Sequence, residues 1–324
     1  MTGIDYVAKR VAFALVTVFV AVTLNFILFR AVPGDAVSAL RCRQCTAQFK
    51  AYERKQLGLD KSKWEQYWLY LGDLVHGNLG SSLRTEKPVW GELWEPIKNT
   101  LPMVALGTVF SILLGLTVGV VSAWRRGTAV DKIGLWSGLG FYSMAPQWLG
   151  LLMVLFVAGA LGLPTSGIKD PTLGILSNPS WWDVLVDRLR HMILPALTIG
   201  LVLYGEYALI VRSAMLETLG EDYVLTARAK GLSNWATVWK HGLRNAMLPV
   251  ITLVALSLGF IIGGFITVEY VFSYPGIGLA VVEAIDQRDY PILQGAFLLL
   301  TLSVIFFNLV ADLLYFRLDP RVTE

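Results

Sequence analysis

Six long, uninterrupted apolar runs constrain this chain more than any other feature. They lie at roughly Val11–Phe29, Thr100–Ala123, Ile133–Leu161, Met192–Val211, Met247–Val268 and Ile292–Phe316. About 20 apolar residues in a helix cross the hydrocarbon core of a bilayer, and a helix satisfies every backbone polar group within its own segment. Six such runs predict an all-α, polytopic membrane protein with six transmembrane helices. Charge agrees: 16% of the 324 residues are charged, against about 25% in a soluble domain. The third run is long enough to tilt or bend, and Pro146 sits inside it.

Basic residues set the orientation, because short cytoplasmic loops retain an excess of Lys and Arg. With the N-terminus inside, the cytoplasmic segments hold Lys9, Arg10, Arg125, Arg126, Lys132, Arg212, Arg228, Lys230, Lys240, Arg244, Arg317 and Arg321. The two short outer loops hold Lys169, Arg188, Arg190 and Arg288, so the count is twelve to four and both termini are expected in the cytoplasm. The expected organisation is an N-terminal segment with the first helix (1–29), an extracytoplasmic region (30–98), a five-helix core (99–316) with a cytoplasmic loop at 212–246, and a cytoplasmic tail (317–324). Ala36-Val37-Ser38 could pass as a cleavage site. The first apolar run exceeds the roughly 7–15 residues of a signal sequence, so it is read as a retained helix.

The region from Arg30 to Lys98 is the one segment outside the spans large enough to build soluble structure. It opens on the turn Pro33-Gly34-Asp35, continues through a helix across Trp64, Gln66, Trp68 and Leu71, and ends in the turn-rich run GNLGSSLRTEKPV. It is placed to dock a partner outside the membrane, and it could equally roof the helix bundle. Cys42 and Cys45, the only cysteines, fall in it. A local disulfide suits an oxidising exterior. A metal site would need two more soft ligands, with His76 the only nearby candidate, and a redox pair would need a surrounding α/β domain.

Between the fourth and fifth runs lies a basic, mostly polar stretch, EDYVLTARAKGLSNWATVWKHGLRNAMLP, from Glu221 to Pro249. Leu232, Trp235, Val238, Trp239 and Leu243 fall at near-helical spacing, with Asn234, Thr237, Lys240 and Arg244 opposite. Gly231 can end one helix and Ser233 can cap another. The stretch reads as helix, break, helix.

This pattern resembles the cytoplasmic coupling loop of the membrane subunits of bacterial ABC importers, and more narrowly that of the dipeptide and oligopeptide permeases. Leu225, Thr226 and Ala227 stand at the family's small-residue triplet, Gly231 at its glycine, and Leu248-Pro249 at the start of the next helix. The leading glutamate of the generic triplet is missing, which fits the peptide branch better than the sugar branch. Other family-like signatures follow in order: Pro33-Gly34-Asp35, Gly77-Asn78-Leu79-Gly80-Ser81-Ser82, Pro88-Val89, Ser143-x-x-Pro146-x-x-x-Gly150, Leu194-Pro195-Ala196-Leu197-Thr198, Glu269-x-Val271-Phe272-Ser273-x-Pro275-Gly276-x-Gly278, Arg288-Asp289-Tyr290-Pro291 and Asp319-Pro320-Arg321. Each alone has a bland reading, a kinked helix or an ordinary reversal. The ordered set covers nearly the whole chain.

The resemblance implies the type I importer architecture in the cytoplasmic membrane. Its partners would be a second homologous permease, two ATP-binding subunits, an extracytoplasmic substrate-binding protein and the lipid bilayer. Contact with the ATPases would fall to Asp222, Tyr223, Ala227, Arg228, Ala229, Lys230, Gly231, Leu232, Trp235, Val238 and Trp239. The cargo would be peptides, although relatives carry oligosaccharides, nickel and other solutes. No cofactor is expected in this chain: it has no G-x-x-x-x-G-K-[ST] phosphate loop, so ATP and Mg would be bound by the partner subunits. No catalytic residue or metal ligand set is expected either, since His76, His191 and His241 are scattered. Nucleic-acid binding is not indicated by a net charge of +3 that the positive-inside residues explain.

Glu206 stands about eleven positions into the fourth run, where an unpaired carboxylate is costly. One reading puts it on the translocation path with Tyr204 and Pro146; the other fixes it as a hydrogen-bonded structural carboxyl. Arg212 reads as an anchor at the cytoplasmic end of that run. Gly115/Gly119, Gly134/Gly138 and Gly259/Gly263 permit close helix contact within this chain or with another. A secondary transporter or channel subunit independent of ATP is the alternative class, but carriers usually show internal repeats, and none is found here.

Overall fold

A computed structural model describes residues 3–31, 54–55, 60–173, 179–233, 237–243, 246–247, 250–251, 253–254 and 266–318. Among them every regular element is helical, and the one β-type pairing is the isolated bridge between Ser81 and Pro88. Among the described residues four helices are long and apolar enough to cross a membrane: Asp5–Arg30, Val89–Trp124, Trp181–Leu219 and Tyr290–Leu313. The third apolar run is not a single helix. Ala129–Ser143 and Pro146–Leu161 meet at 107°, which brings the count to five if the pair is one span. Proline causes the break: Pro146 sits at the first helical position after Met144 and Ala145, whose ψ angles of 135° and 131° are extended. Most of the fifth run, Met247–Val268, lies outside the described residues, as do Cys42 and Cys45 with their expected disulfide.

Two helices are much longer than the apolar runs that signalled them. The fourth run lies within Trp181–Leu219, a helix of 39 residues. At 1.5 Å per residue it is about 58 Å long, nearly twice the roughly 30 Å hydrocarbon core. Its start is held by a capping box, in which Ser180 N donates to Asp183 Oδ2 at 2.9 Å and Trp182 N to Ser180 Oγ at 3.4 Å.

The chain divides into two compact units, Met1–Thr100 with Pro275–Glu324, and Leu101–Tyr274. In the first, the Gly3–Ala31 and Tyr290–Leu318 helices pack antiparallel. Arg10 pairs with Asp312 at 3.0 Å near one end, and Asn25 Nδ2 donates to Gln294 O at 3.2 Å near the other. The helix expected across Trp64, Gln66, Trp68 and Leu71 is present as Lys63–Val75 and lies on the first helix through Tyr67, whose hydroxyl is 2.7 Å from Thr23 Oγ1. Only 17% of the apolar window in each of the two long helices is buried, and Phe13, Leu15, Phe19 and Phe306 are exposed. Such continuous apolar surface suits lipid and partner helices.

In the second unit, 61% of the corresponding window of Trp181–Leu219 is buried. Glycines let neighbouring backbones reach it. A methyl group at Gly115 would fall 2.4 Å from Tyr207 Cβ, one at Gly119 2.7 Å from Val211 Cβ, and one at Gly205 2.2 Å from Gly138 O. Gly115, Gly119 and Gly138 therefore pack within this chain, while Gly259 and Gly263 lie outside the described residues. An apolar cluster of Met103, Val104, Met192, Leu194, Ile199, Val268, Phe272 and Tyr274 surrounds one part of the long helix. A second cluster of Val120, Ala123, Val211, Ala214, Met215, Val238, Ala246 and Val250 surrounds another.

Candidate coupling site

The long helix ends at Leu219 with Gly220 as its C-cap, and after Glu221 a short helix, Asp222–Ala229, begins. Gly231 closes it with φ +78°, a left-handed conformation that L side chains seldom adopt. Helix, glycine break and a second helical piece follow in the expected order, the second being a π-helical turn over Thr237–Gly242. Ser233 is exposed, and residues 234–236 after it, Trp235 among them, lie outside the described residues, as do the side chains of Ala227, Arg228 and Lys240.

The expected contact residues divide by burial. Asp222, Tyr223, Ala229, Lys230, Leu232 and Trp239 are exposed, Trp239 at 39%. Val238 is 1% exposed and belongs to the chain's own apolar cluster with Val211 and Met215. Its contact is thus with the long helix, so it anchors the loop to this chain and does not offer a free surface. Val224, which the sequence reading passed over, is fully buried beside its exposed neighbour Tyr223.

Above this loop lies an ion pair that sequence reasoning missed. Arg212 Nε donates to Asp131 Oδ1 at 2.7 Å and Nη2 to Asp131 Oδ2 at 3.0 Å, while Gly127 N donates to Oδ2 at 2.9 Å. Asp131 is 3% exposed. Arg212 is therefore a partner in a bidentate pair and more than an anchor. The available signal was a carboxylate at the mouth of the third run and an arginine at the end of the fourth.

Of the three candidates for a translocation path, Tyr204 is buried, its ring 6.0 Å from that of Phe141. Pro146 is half-buried at the helix break, and Glu206 is half-buried on the long helix.

In the first unit, two of the ordered motifs meet. Ser82 Oγ donates to Asp289 Oδ2 at 2.5 Å and Leu83 N to Oδ1 at 3.4 Å, so Gly80-Ser81-Ser82 is tied to Arg288-Asp289-Tyr290-Pro291. The Pro275-Gly276-x-Gly278 turn is tied to the start of the second span. Asn99 Nδ2 donates to Pro275 O, and Ile277 N to Thr100 Oγ1, both at 2.9 Å.

Among the described residues these features define a helical, multi-pass membrane protein, with a 39-residue helix leading into a glycine-broken loop. The family model described as "Binding-protein-dependent transport system inner membrane component" matches residues 97–324, and the model for the N-terminal part of such membrane components matches residues 3–106. The chain belongs to this family, and it is a multi-pass protein of the inner membrane. It is 38% identical over 333 residues to the di/tripeptide transport system permease protein of Pseudomonas aeruginosa, with 98% of each chain covered. It is 36% identical over 335 residues to the dipeptide transport system permease protein of Escherichia coli K12, again with 98% of each covered. A glutathione transport system permease protein of Escherichia coli O6:H1 is 35% identical over 323 residues, covering 98% of this chain and 99% of that one. Family membership displaces the reading as an ATP-independent carrier or channel.

Proposed function

We propose that this chain is a permease subunit of an ATP-driven importer that carries short peptides across the inner membrane from an extracytoplasmic binding protein. Similarity over essentially the full length to permeases named for dipeptides, tripeptides and glutathione carries the reading. The chain spans the membrane six times with both termini in the cytoplasm. Antiparallel packing of the Gly3–Ala31 and Tyr290–Leu318 helices supports this, as does the distribution of basic residues.

The chain itself is not an enzyme. Two ATP-binding subunits supply ATP and Mg, and a second homologous permease completes the pore. The Asp222–Ala229 helix and the turn at Gly231 seat in one ATPase, with Tyr223, Leu232 and Trp239 as apolar and aromatic anchors, since such side chains dominate interface energetics. Asp222 and Lys230 lie at the rim and tune association rate more than affinity. Closure of the ATPases moves the loop, and the 39-residue helix carries that motion into the bundle as a stiff lever. Glu206 borders the path, where its carboxylate suits the ammonium group of a peptide.

Mild-detergent pull-down of the tagged chain from its native membrane, followed by mass spectrometry, tests the reading. Recovery of a second permease with ATPase subunits supports it; a chain that emerges alone across several detergents overturns it.

A further inference from the structure

Two helices of the second unit are joined at one point by a pair of charges, a buried carboxylate and a partly exposed guanidinium. Asp131 lies in the first turn of Ala129–Ser143, the helix that breaks at 107° into Pro146–Leu161. Arg212 lies on the 39-residue helix, ten residues before the coupling helix begins at Asp222. Both carboxylate oxygens are engaged by one guanidinium, and the Gly127 N–H adds a third contact that ties in the turn between the second and third spans. A fork-on-fork pair fixes direction as well as distance, which a single-point ammonium contact does not. Further along the same two helices, Gly138 and Gly205 bring the backbones into contact. Ala129–Ser143 is thus fastened to the arm at two levels and ends at a proline break.

We propose that the Asp131–Arg212 pair is a strut that makes the broken third span follow the coupling arm, so that displacement of the Asp222–Ala229 helix reaches the bundle. The inference rests on the importer reading above. Asp131 and Arg212 are positioning residues: they touch neither nucleotide nor cargo and act through the helices they join. Loosening the strut disconnects motion from transport while the partner ATPases still turn over.

The test uses the full complex reconstituted in proteoliposomes with its binding protein, measuring ATP hydrolysis and uptake of radiolabelled dialanine in the same vesicles. In Asp131→Asn, dialanine moved per ATP falls about tenfold, within the usual range of coupling between sites, while hydrolysis stays within about twofold of wild type. Arg212→Lys keeps the charge but loses the fork, and lowers the same ratio in a variant less prone to misassembly. A purely structural role would reduce hydrolysis and uptake together and leave dialanine per ATP unchanged; that outcome overturns the strut. A wild-type complex that hydrolyses ATP without moving any solute would instead overturn the importer reading.

Discussion

The Ser82 hydroxyl donates to a carboxylate oxygen of Asp289 across 2.5 Å, joining residues 207 apart in the sequence. Asp289 is 4% exposed and also lies 3.4 Å from the Ile292 N–H in the first turn of the last long helix. One buried carboxylate therefore fixes the Ser82–Thr85 turn and caps a span. Ser82 Oγ in turn accepts from Arg84 N at 3.2 Å and Thr85 N at 3.1 Å, so the turn folds around this hydroxyl.

Ser82→Ala should leave one Asp289 oxygen without a donor, at a cost of about 1–3 kcal/mol. The apparent melting temperature of the purified protein in detergent is expected to drop by about 2 °C or more. An unchanged melting temperature would mean that water satisfies Asp289 and that the turn is not held by this bond.

Close packing on the long helix gives a paired prediction. A methyl group at Gly205 would meet the Gly138 carbonyl at 2.2 Å, and a backbone cannot rotate aside. Gly205→Ala should cost about 1–3 kcal/mol or more and lower the amount of protein in the membrane. Gly140, on the neighbouring helix, has nothing within 4 Å of its position for a methyl group. Gly140→Ala should be tolerated, with a gain of up to about 1 kcal/mol from helix propensity. Immunoblots of membranes carrying each variant decide it, and equal abundance would contradict the packing.

At Gly231 the backbone, not space, is the constraint. Its φ is +78° and, among the described residues, no atom lies within 4 Å of an added Cβ. A valine there pays roughly 1–2 kcal/mol for the left-handed conformation, while asparagine tolerates it better. Gly231→Val should lose uptake at near-normal abundance and Gly231→Asn should retain part of it. Full uptake in the valine variant would remove the turn from the coupling site.

Adjacent residues in the loop should fail differently. Val238→Asp buries a charge in the cluster with Val211 and Met215 and is expected to reduce abundance. Trp239, 39% exposed, should tolerate glutamate as far as folding is concerned. If the ring docks on the ATPase as proposed, Trp239→Glu is expected in the membrane at normal levels but inactive in uptake. Uptake and abundance measured side by side separate the two; normal uptake with Trp239→Glu excludes that ring from the interface.

Several features were legible residue by residue because local chemistry decides them. Apolar runs mark spans, since hydrocarbon admits only backbone that bonds to itself. Pro146 marks the break because it has no N–H to give and pushes Ala145 into extended backbone. Gly231 marks the turn because its left-handed φ suits glycine. Ordered motifs from Pro33 to Arg321 named the family, as the full-length matches bear out.

What the sequence by itself determined, then, was the helical membrane character, the position of the glycine break and the family. Tertiary structure alone decided that Gly115 faces Tyr207, that Val238 turns inward beside an exposed Trp239, and that Asp131 meets Arg212 across 81 residues. In water a helix shows its inner face by its apolar stripe; in a bilayer the faces toward lipid and toward protein are both apolar, so the pattern cannot tell them apart. Long-range polar pairs are hidden for a related reason: a lone Asp or Ser at the mouth of a span looks like any interfacial residue until the fold brings its partner to it.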